Sequence, residues 1–363
     1  MIMNKQNVVF TGGGTGGHVF PGIAVAEKLL EATTDSSVSI YWIGSRQGME
    51  KDILERFNIP FYSIPAGKLR RYFSINNFVD LFKIAAGFIV SIIILKKLKA
   101  DILFSKGGFV TVPPVLAARI LKIPVISHES DLDPGLATRI NGYFSNTMLF
   151  AYTETAKAWK KSRAGQKVLV TGNPVRKEIH EGKEEKGRDL FNIPVDKKII
   201  LILGGSQGAL EINKLTSGII GELTTDYFVI HQMGALTFTK SMKKDYVTRA
   251  LFNDEFPDIL AAADLVVSRA GAGTLWENGV RSKPAILIPL GSGSSRGDQI
   301  RNAGYFETHG AVVVLQGDNL NSSGLLAEIR RILGSNSVIK ELEKNAEILC
   351  NRDSAEQIVN LIR

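Results

Sequence analysis

Three glycine-rich stretches carry the residue types that handle an anionic ligand. The first, Thr11-Gly-Gly-Gly-Thr-Gly-Gly-His18, follows the apolar run Asn7-Val-Val-Phe10 and precedes Ile23–Leu30. A strand that feeds a glycine loop and then a helix suits a phosphate or a sugar pyrophosphate. The glycines let the backbone approach closely, and the first amides of a helix offer open donors and a partial positive charge. His18, at the mouth of this loop, is a candidate for proton transfer, because imidazole changes charge near neutral pH. The second stretch, Gly204-Gly-Ser206-Gln-Gly208, repeats the arrangement after Lys198–Leu203. Ser206 there either gives a hydroxyl to a phosphate or caps the next helix. The third, Ser268-Arg-Ala-Gly271-Ala-Gly273-Thr274-Leu-Trp-Glu277, ends in a carboxylate whose paired oxygens suit two ribose hydroxyls. Thr274 and Glu277 also fit a capping box, in which Glu277 only closes a helix start.

A glycine loop alone does not identify a nucleotide. A dinucleotide site pairs Gly-x-Gly-x-x-Gly with a carboxylate at the end of the second strand. Here that strand ends Tyr41-Trp-Ile-Gly-Ser-Arg46, with no acidic residue, which argues against NAD. Arg46 leaves a 2′-phosphate, and so NADP, open on this point.

Such loops need rigid strands and helices behind them. Strands are expected at Val38–Ile43, Phe61–Ile64, Asp101–Ser105 and Pro124–Ser127, the last leading into His128-Glu129. The pattern restarts with Lys198–Leu203, Tyr227–His231, Leu265–Ser268 and Pro284–Pro289. Helices are expected at Gly48–Phe57, Pro113–Leu121 and Ser354–Arg363. This alternation predicts an α/β protein with doubly wound parallel sheets, and the return of the loop near residue 200 predicts two similar domains. The 363 residues suffice for both. The first domain is expected to span 1–175, ending around Gly172-Asn-Pro-Val-Arg176, and the second 176–349. The polar stretch His180–Arg188 reads as a linker or loop. A single cysteine, Cys350, excludes an internal disulfide and suggests a reducing compartment. Met1 runs almost directly into the first strand, so no secretory signal is expected.

The net charge of +8 is unevenly placed. Residues 1–176 hold 22 Lys and Arg against 12 Asp and Glu, whereas the remainder holds 22 against 24. The first half therefore suits an anionic partner: a lipid surface, a nucleic acid or a polyphosphate. Within it, residues 68–99 combine Lys68, Arg70, Arg71, Lys83, Lys96, Lys97 and Lys99 with Tyr72, Phe73, Phe78 and Phe82. The uninterrupted apolar run Ile84–Leu95 falls short of the roughly 20 residues that cross a bilayer. The loop 68–82 reads as a contact with an anionic bilayer. The apolar helix after it, taken alone, reads as buried with solvated lysines at its ends.

Gly-Gly-Thr-Gly-Gly-His-Val-Phe-Pro-Gly (13–22) resembles the N-terminal signature of the MurG family, the peptidoglycan N-acetylglucosaminyltransferases. The resemblance continues in family order through Lys106-Gly-Gly-Phe-Val, His128-Glu129, Pro134-Gly-Leu136, Gly172–Arg176, Gly204–Ala209, Arg269–Glu277, Asp298-Gln299 and Asn302-Ala303, spanning nearly the whole chain. It implies the GT-B fold: two Rossmann-like domains with parallel sheets facing a central cleft, and a C-terminal helix (350–363) crossing back to the first. It implies transfer of GlcNAc from UDP-GlcNAc to the 4-hydroxyl of the muramyl sugar of lipid I, giving lipid II with inversion. It places the protein peripherally on the cytoplasmic face of the plasma membrane, with no nucleic acid partner, no cofactor and no obligatory metal.

Carried over by position, Thr15, Gly16 and Gly17 line the site, and Arg176 and Ser206 face the diphosphate. The backbone near Asn253 reads uracil. Ala272, Gly273, Thr274, Leu275, Trp276 and Glu277 contact sugar and ribose, with Glu277 on the ribose, and Gln299 contacts GlcNAc hydroxyls. His18 is the first choice of general base, with Glu129 the rival. The other reading of His18 is a structural residue that orients the loop. Two positions depart from the family. Asp131 stands where Asn usually touches an acetamido group; a carboxylate accepts from the N–H but cannot donate. Asp131-Leu-Asp133 also spells the Asp-x-Asp of metal-dependent transferases, a reading the context disfavours. Gly291–Gly297 replaces the usual loop ahead of Gln299, and Asp298 stands where the family often has His. Alternatives are a related UDP-sugar transferase with another lipid acceptor, a soluble UDP-GlcNAc 2-epimerase-like enzyme, and a non-catalytic nucleotide-sugar binder.

Overall fold

The computed structural model describes residues 5–33, 37–46, 48–67, 76–160, 164–205, 208–291 and 297–363. The chain divides into two compact units: Met1–Arg176 with Arg352–Arg363, and Lys177–Asn351.

Unit 1 is built on strands β1 (Gln6–Thr11), β2 (Val38–Ser45), β3 (Phe61–Ile64), β4 (Ile102–Ser105), β5 (Val125–Glu129), β6 (Thr147–Phe150) and β7 (Lys167–Val170). Their order is β3-β2-β1-β4-β5-β6-β7, with every pair parallel. Helices cover both faces, which is why the central strand reads as an unbroken apolar run, Val8-Val9-Phe10, with no residue exposed. On one face the helices Gly16–Glu31 and Ser354–Ile362 bring Ile23, Leu29, Ile358 and Ile362 onto Phe10 and Trp42. The final helix is fixed by Gln6, whose side-chain amide donates to the Ile362 carbonyl at 3.0 Å. On the other face Leu95 and Val115 pack on Val9 and Leu103. The chain builds outward from β1 to β3, then returns to place β4 on the other side of β1. The turns after β1 and β4 therefore meet at a topological switch point, where open α/β sheets bind ligands.

Unit 2 repeats the plan with β8 (Ile199–Leu203), β9 (Phe228–Gln232), β10 (Met242–Lys243), β11 (Tyr246–Arg249), β12 (Leu265–Ser268), β13 (Ala285–Leu287) and β14 (Val313–Val314). The order is β10-β11-β9-β8-β12-β13-β14, parallel except for the antiparallel edge pair β10–β11. Its switch point lies between β8 and β12, so the turns holding Gly204 and Gly271 meet there.

Two expectations need correcting. The stretch His180–Arg188 is no linker: it contains the end of the helix Lys177–Glu181 and most of the helix Glu184–Asp189. Gly187 lets the latter approach the Asp258 backbone, where a Cβ would lie 2.2 Å from the carbonyl oxygen. Nor is the long helix Asn76–Lys97 buried. Only one side, through Ile94 and Leu95, reaches the core, and Leu81, Phe82, Ile89 and Ile93 are 57–76% exposed. A helix apolar all round has covered one face and left the other bare. Among the described residues no helix is long and apolar enough to cross a membrane.

Candidate active site

In unit 1 the glycine loop is held from below by two side chains. Trp42 Nε1 donates to the Gly12 carbonyl at 3.0 Å. Glu50, fully buried, accepts the Gly14 N–H at 3.1 Å. A Cβ on Gly13 would fall 1.8 Å from Glu50 Oε1, so a side chain there would displace the buried carboxylate. The helix Gly16–Glu31 then starts at Thr15 without a side-chain cap. Thr15 and Gly17 are exposed, and Gly16 and His18 half-buried. The His18 imidazole lies against the turn after β4, where a Cβ on Gly108 would sit 3.2 Å from its Cδ2. Gly108 has φ 88°, and the same Cβ would be 2.3 Å from the Gly13 carbonyl. Only glycine therefore lets the two turns close around His18. On the next turn of that helix, Phe20 supports Arg176, whose guanidinium stands 4.3 Å above the ring.

Behind this wall lies a buried polar cluster. Lys106, 1% exposed, donates from Nζ to Ser130 Oγ, which donates to Asn173 Oδ1 at 2.8 Å. Burial lowers the Lys106 pKa to about 8, opposed by the charges of Glu129 and Asp131. Glu129 accepts three backbone N–H groups: Ser130 at 2.8 Å and Asp131 at 3.0 Å on Oε1, and Gly135 at 3.2 Å on Oε2. Such bonds occupy lone pairs that a base would use. His128 lies 2.8 Å from the Gly172 carbonyl through Nε2, which must carry the proton because a carbonyl only accepts. Burial, reinforced by the Lys106 charge, holds His128 well below the usual imidazole range, so it is neutral.

In unit 2 the helix Ala272–Val280 begins at Gly271 with no side-chain cap. Thr274 is thus the third residue of the helix and Glu277 lies in its second turn, which overturns the capping box. Gly273 and Glu277, four apart, share a face. A Cβ on Gly271 or Gly273 would meet no described atom within 4 Å, so that face is open. Leu275 and Trp276 are each only 2% exposed, and Trp276 packs edge-on against Phe306. Their side chains belong to the core, so a contact with the sugar at these two positions would come from the backbone; Ala272, Gly273, Thr274 and Glu277 remain half-buried at the surface.

Around this helix start, Arg269 donates to Glu211 Oε2 at 2.8 Å and to the Ile288 carbonyl at 3.0 Å, tying the ends of β12 and β13 to the helix Leu210–Ser217. Gln299 accepts the Leu290 N–H at 3.0 Å through Oε1, which turns its amide nitrogen the other way. Asn253 is exposed; its N–H is taken by Glu255 at 3.2 Å and its carbonyl accepts from Phe256. The carbonyl keeps a lone pair for a ligand, but the N–H does not. Gly204 donates to the Gln232 carbonyl at 2.8 Å, while Ser206 lies outside the described residues. Behind that turn, buried His231 bonds Tyr246 and Asn213 at 3.0 Å each, and Asn213 donates to Thr237. Burial brings the His231 pKa down to about 4.

Residues 8–150 match the glycosyltransferase family 28 N-terminal domain, and residues 199–358 its C-terminal domain. The chain belongs to glycosyltransferase family 28. It is 43% identical, over 98% of its length and 97% of the relative's, to the UDP-N-acetylglucosamine–N-acetylmuramyl-(pentapeptide) pyrophosphoryl-undecaprenol N-acetylglucosamine transferase of Treponema denticola. The crystal structure of MurG from Acinetobacter baumannii superposes with a TM-score of 0.72 at 26% identity, over 98% of this chain and 99% of that one. UDP-GlcNAc 2-epimerase from Neisseria meningitidis gives 0.70 at 15% identity, over 99% of each chain, a likeness of fold alone. The family 28 chain thus has the two-domain GT-B fold.

Sequence reasoning singled out His18 and Glu277 but missed the residues beneath them. Glu50 and Trp42 carried no signal because their partners, Gly14 and Gly12, lie 36 and 30 positions away. Lys106 was visible only as part of a motif; a lysine between a strand and two glycines was the clue. The Asp131–Asp133 pair stays half-buried. Among the described residues no group of three His, Cys, Asp or Glu side chains is placed to hold a metal ion.

Proposed function

We propose that this chain transfers GlcNAc from UDP-GlcNAc to the 4-hydroxyl of the muramyl sugar of lipid I, forming the β(1→4) bond of lipid II with inversion. The observation that carries the mechanism is the place of His18. It stands at the switch point of unit 1, half-buried, against glycines that let two turns close around it. His18 takes the proton as the 4-hydroxyl attacks the anomeric carbon and the bond to UDP breaks. A base so placed contributes roughly 10²–10⁴ in rate. Glu129 is a positioning residue, since three backbone amides already share its carboxylate. The donor belongs to unit 2. The open amides at Gly271–Thr274 favour negative charge, Glu277 accepts the ribose hydroxyls, and Gln299 offers its amide nitrogen to the sugar. Arg176 neutralises charge on the departing diphosphate, and Ser206 gives it a hydroxyl hydrogen bond.

The enzyme meets its lipid substrate as a peripheral protein at the cytoplasmic face of the membrane. The bare side of the helix Asn76–Lys97, with Leu81, Phe82, Ile89 and Ile93, forms an apolar strip flanked by Lys83, Lys96 and Lys97. Lys68, Arg70 and Arg71 precede it, outside the described residues. Charge reversal of these three is expected to weaken binding to anionic vesicles, and more so at low salt; unchanged binding would remove the basic segment from the contact.

The decisive assay is transfer of labelled GlcNAc from UDP-GlcNAc to a lipid I analogue with EDTA present. A β-linked disaccharide product is expected. No transfer by folded protein would refute the reading, and loss of transfer only with EDTA would return the metal role to Asp131 and Asp133.

A further inference from the structure

Unit 1 has a cavity of about 420 Å³ that the mechanism above does not use. The turn after β5 lines it with Leu132 and Pro134, and Trp159, just beyond the helix Thr153–Ala158, forms another wall. Each part is fixed. Glu129 holds the turn through the Ser130, Asp131 and Gly135 amides. The Thr155 hydroxyl donates to the Leu132 carbonyl at 2.6 Å, tying the helix to the turn. Trp159 lies against Phe150 with ring centroids 5.3 Å apart, and its Nε1 donates to Gln166 Oε1 at 3.4 Å. The cavity is therefore formed before anything enters it, as small-ligand sites usually are. Its charges are of both signs and do not satisfy one another. Arg139 and Lys160 line it, and so do Asp133 and Glu154. Yet Arg139, Lys160 and Glu154 form no ion pair with any described residue. Arg139 is steadied by Nε, which donates to the Pro134 carbonyl at 3.0 Å, and its terminal nitrogens are left for a partner. Opposite charges that share a cavity but not a bond suit a ligand with both a carboxylate and an amine. With an indole as one wall, that ligand is a short peptide; a nucleotide would meet two carboxylates of its own sign. The cavity also adjoins the reacting end of the sheet. A Cβ on Gly107 would lie 3.6 Å from His18 Nδ1 and 3.8 Å from Thr138 Oγ1. The helix Leu136–Phe144 thus starts beside the imidazole and carries Arg139, its next residue, on the cavity.

We propose that this cavity receives the peptide of the acceptor, with Arg139 and Lys160 taking its carboxylates and Glu154 a side-chain amine. The proposal rests on the transferase reading above and deepens it. In a muramyl sugar the peptide hangs from the lactyl ether on C3, the carbon next to the one that bears the 4-hydroxyl. An acceptor whose 4-hydroxyl meets His18 therefore leads its peptide away from a point beside that imidazole, along unit 1. The cavity lies there and offers both signs of charge.

Two acceptors test this: a lipid I analogue with its whole peptide, and one cut back to the uncharged lactyl amide. The wild-type kcat/KM is expected to be at least roughly tenfold lower for the cut acceptor. The double variant Arg139→Ala, Lys160→Ala is expected to lose roughly tenfold with the whole peptide and less than about twofold with the cut one. Lys160→Glu, at an exposed side chain with no bond to lose, is expected to follow the same pattern. Glu154→Gln is expected to lower kcat/KM for a peptide with a free amine and to leave its N-acetylated analogue unchanged. Equal losses with both acceptors would assign the cations to the pyrophosphate or to a lipid headgroup and overturn the proposal. Variants as active as the wild type on the whole peptide would overturn it too. Transfer by the wild type is the internal control: its absence with either acceptor defeats the transferase reading, whereas equal use of both by an active enzyme defeats only the peptide site.

Discussion

The turn after β1 in unit 1 and the turn after β12 in unit 2 each open a helix at the switch point of a parallel sheet, although in sheet order β12 corresponds to β4 and β8 to β1. Both lack a side-chain cap, and both are rich in glycine. They differ in what the chain itself puts there. In unit 1 the protein has supplied its own anion: the buried Glu50 carboxylate takes the Gly14 amide. In unit 2 no described atom stands within 4 Å of where a side chain on Gly271 or Gly273 would begin. One backbone device therefore serves two purposes. Filled from within, it is a rigid wall that seats His18 and repels a second anion. Left open, it is the place where the proposed function puts the anionic donor. In the reaction proposed above, unit 1 would organise the acceptor and the base, and unit 2 the donor.

The largest expected effect is that of His18→Ala, a fall in kcat of at least roughly a hundredfold with UDP-GlcNAc affinity unchanged, measured by steady-state transfer and by calorimetry. Unchanged turnover would move the base to Glu129. Next, Glu277→Ala is expected to weaken UDP-GlcNAc binding by roughly tenfold to a hundredfold, the scale of hydrogen bonds to a charged group. A wild-type affinity would make Glu277 structural and blur the contrast between the turns. Glu50→Gln keeps an acceptor for Gly14 but removes the internal charge. A loss of roughly tenfold in kcat/KM for the acceptor is expected, together with new inhibition by pyrophosphate competitive with acceptor. Absence of that inhibition would show that charge is not what distinguishes the loops.

The smallest effects are on stability against pH. The unfolded chain protonates histidine below 6.5, whereas folded His231 does so only near 4 and folded His128 well below its usual value. The unfolded state then holds more protons, so stability is expected to fall as the pH drops through that window. Lys106 acts at the other end: unfolded it binds its proton up to 10.5 and folded only to about 8, so stability is expected to rise with pH between those values. Denaturant midpoints of Lys106→Met across the same range should lack that rise.

Much of this was legible in the sequence. Long buried strands such as Val8-Val9-Phe10 and Ile199–Leu203 announce themselves as apolar runs between turn residues. Several short ones do not: β6 and β7 have four residues each and β14 two, and their place is set by neighbours far along the chain. The capping-box alternative fails because Thr274 and Glu277 have the right spacing in the wrong frame; the helix is capped three residues earlier, at Gly271. The exposed face of Asn76–Lys97 was hidden for the opposite reason, since a helix apolar all round gives no periodicity to say which side is covered. Site residues with side chains on glycine loops were visible. Those that act through the backbone of a distant loop, Glu50 and Trp42, were not.

The division of labour between the two turns is tested most directly by calorimetric titration of UDP-GlcNAc into His18→Ala and Glu277→Ala side by side. The predicted result is binding within about twofold of wild type for the first and weaker by at least about tenfold for the second. Lost donor binding in His18→Ala, with binding retained in Glu277→Ala, would contradict it.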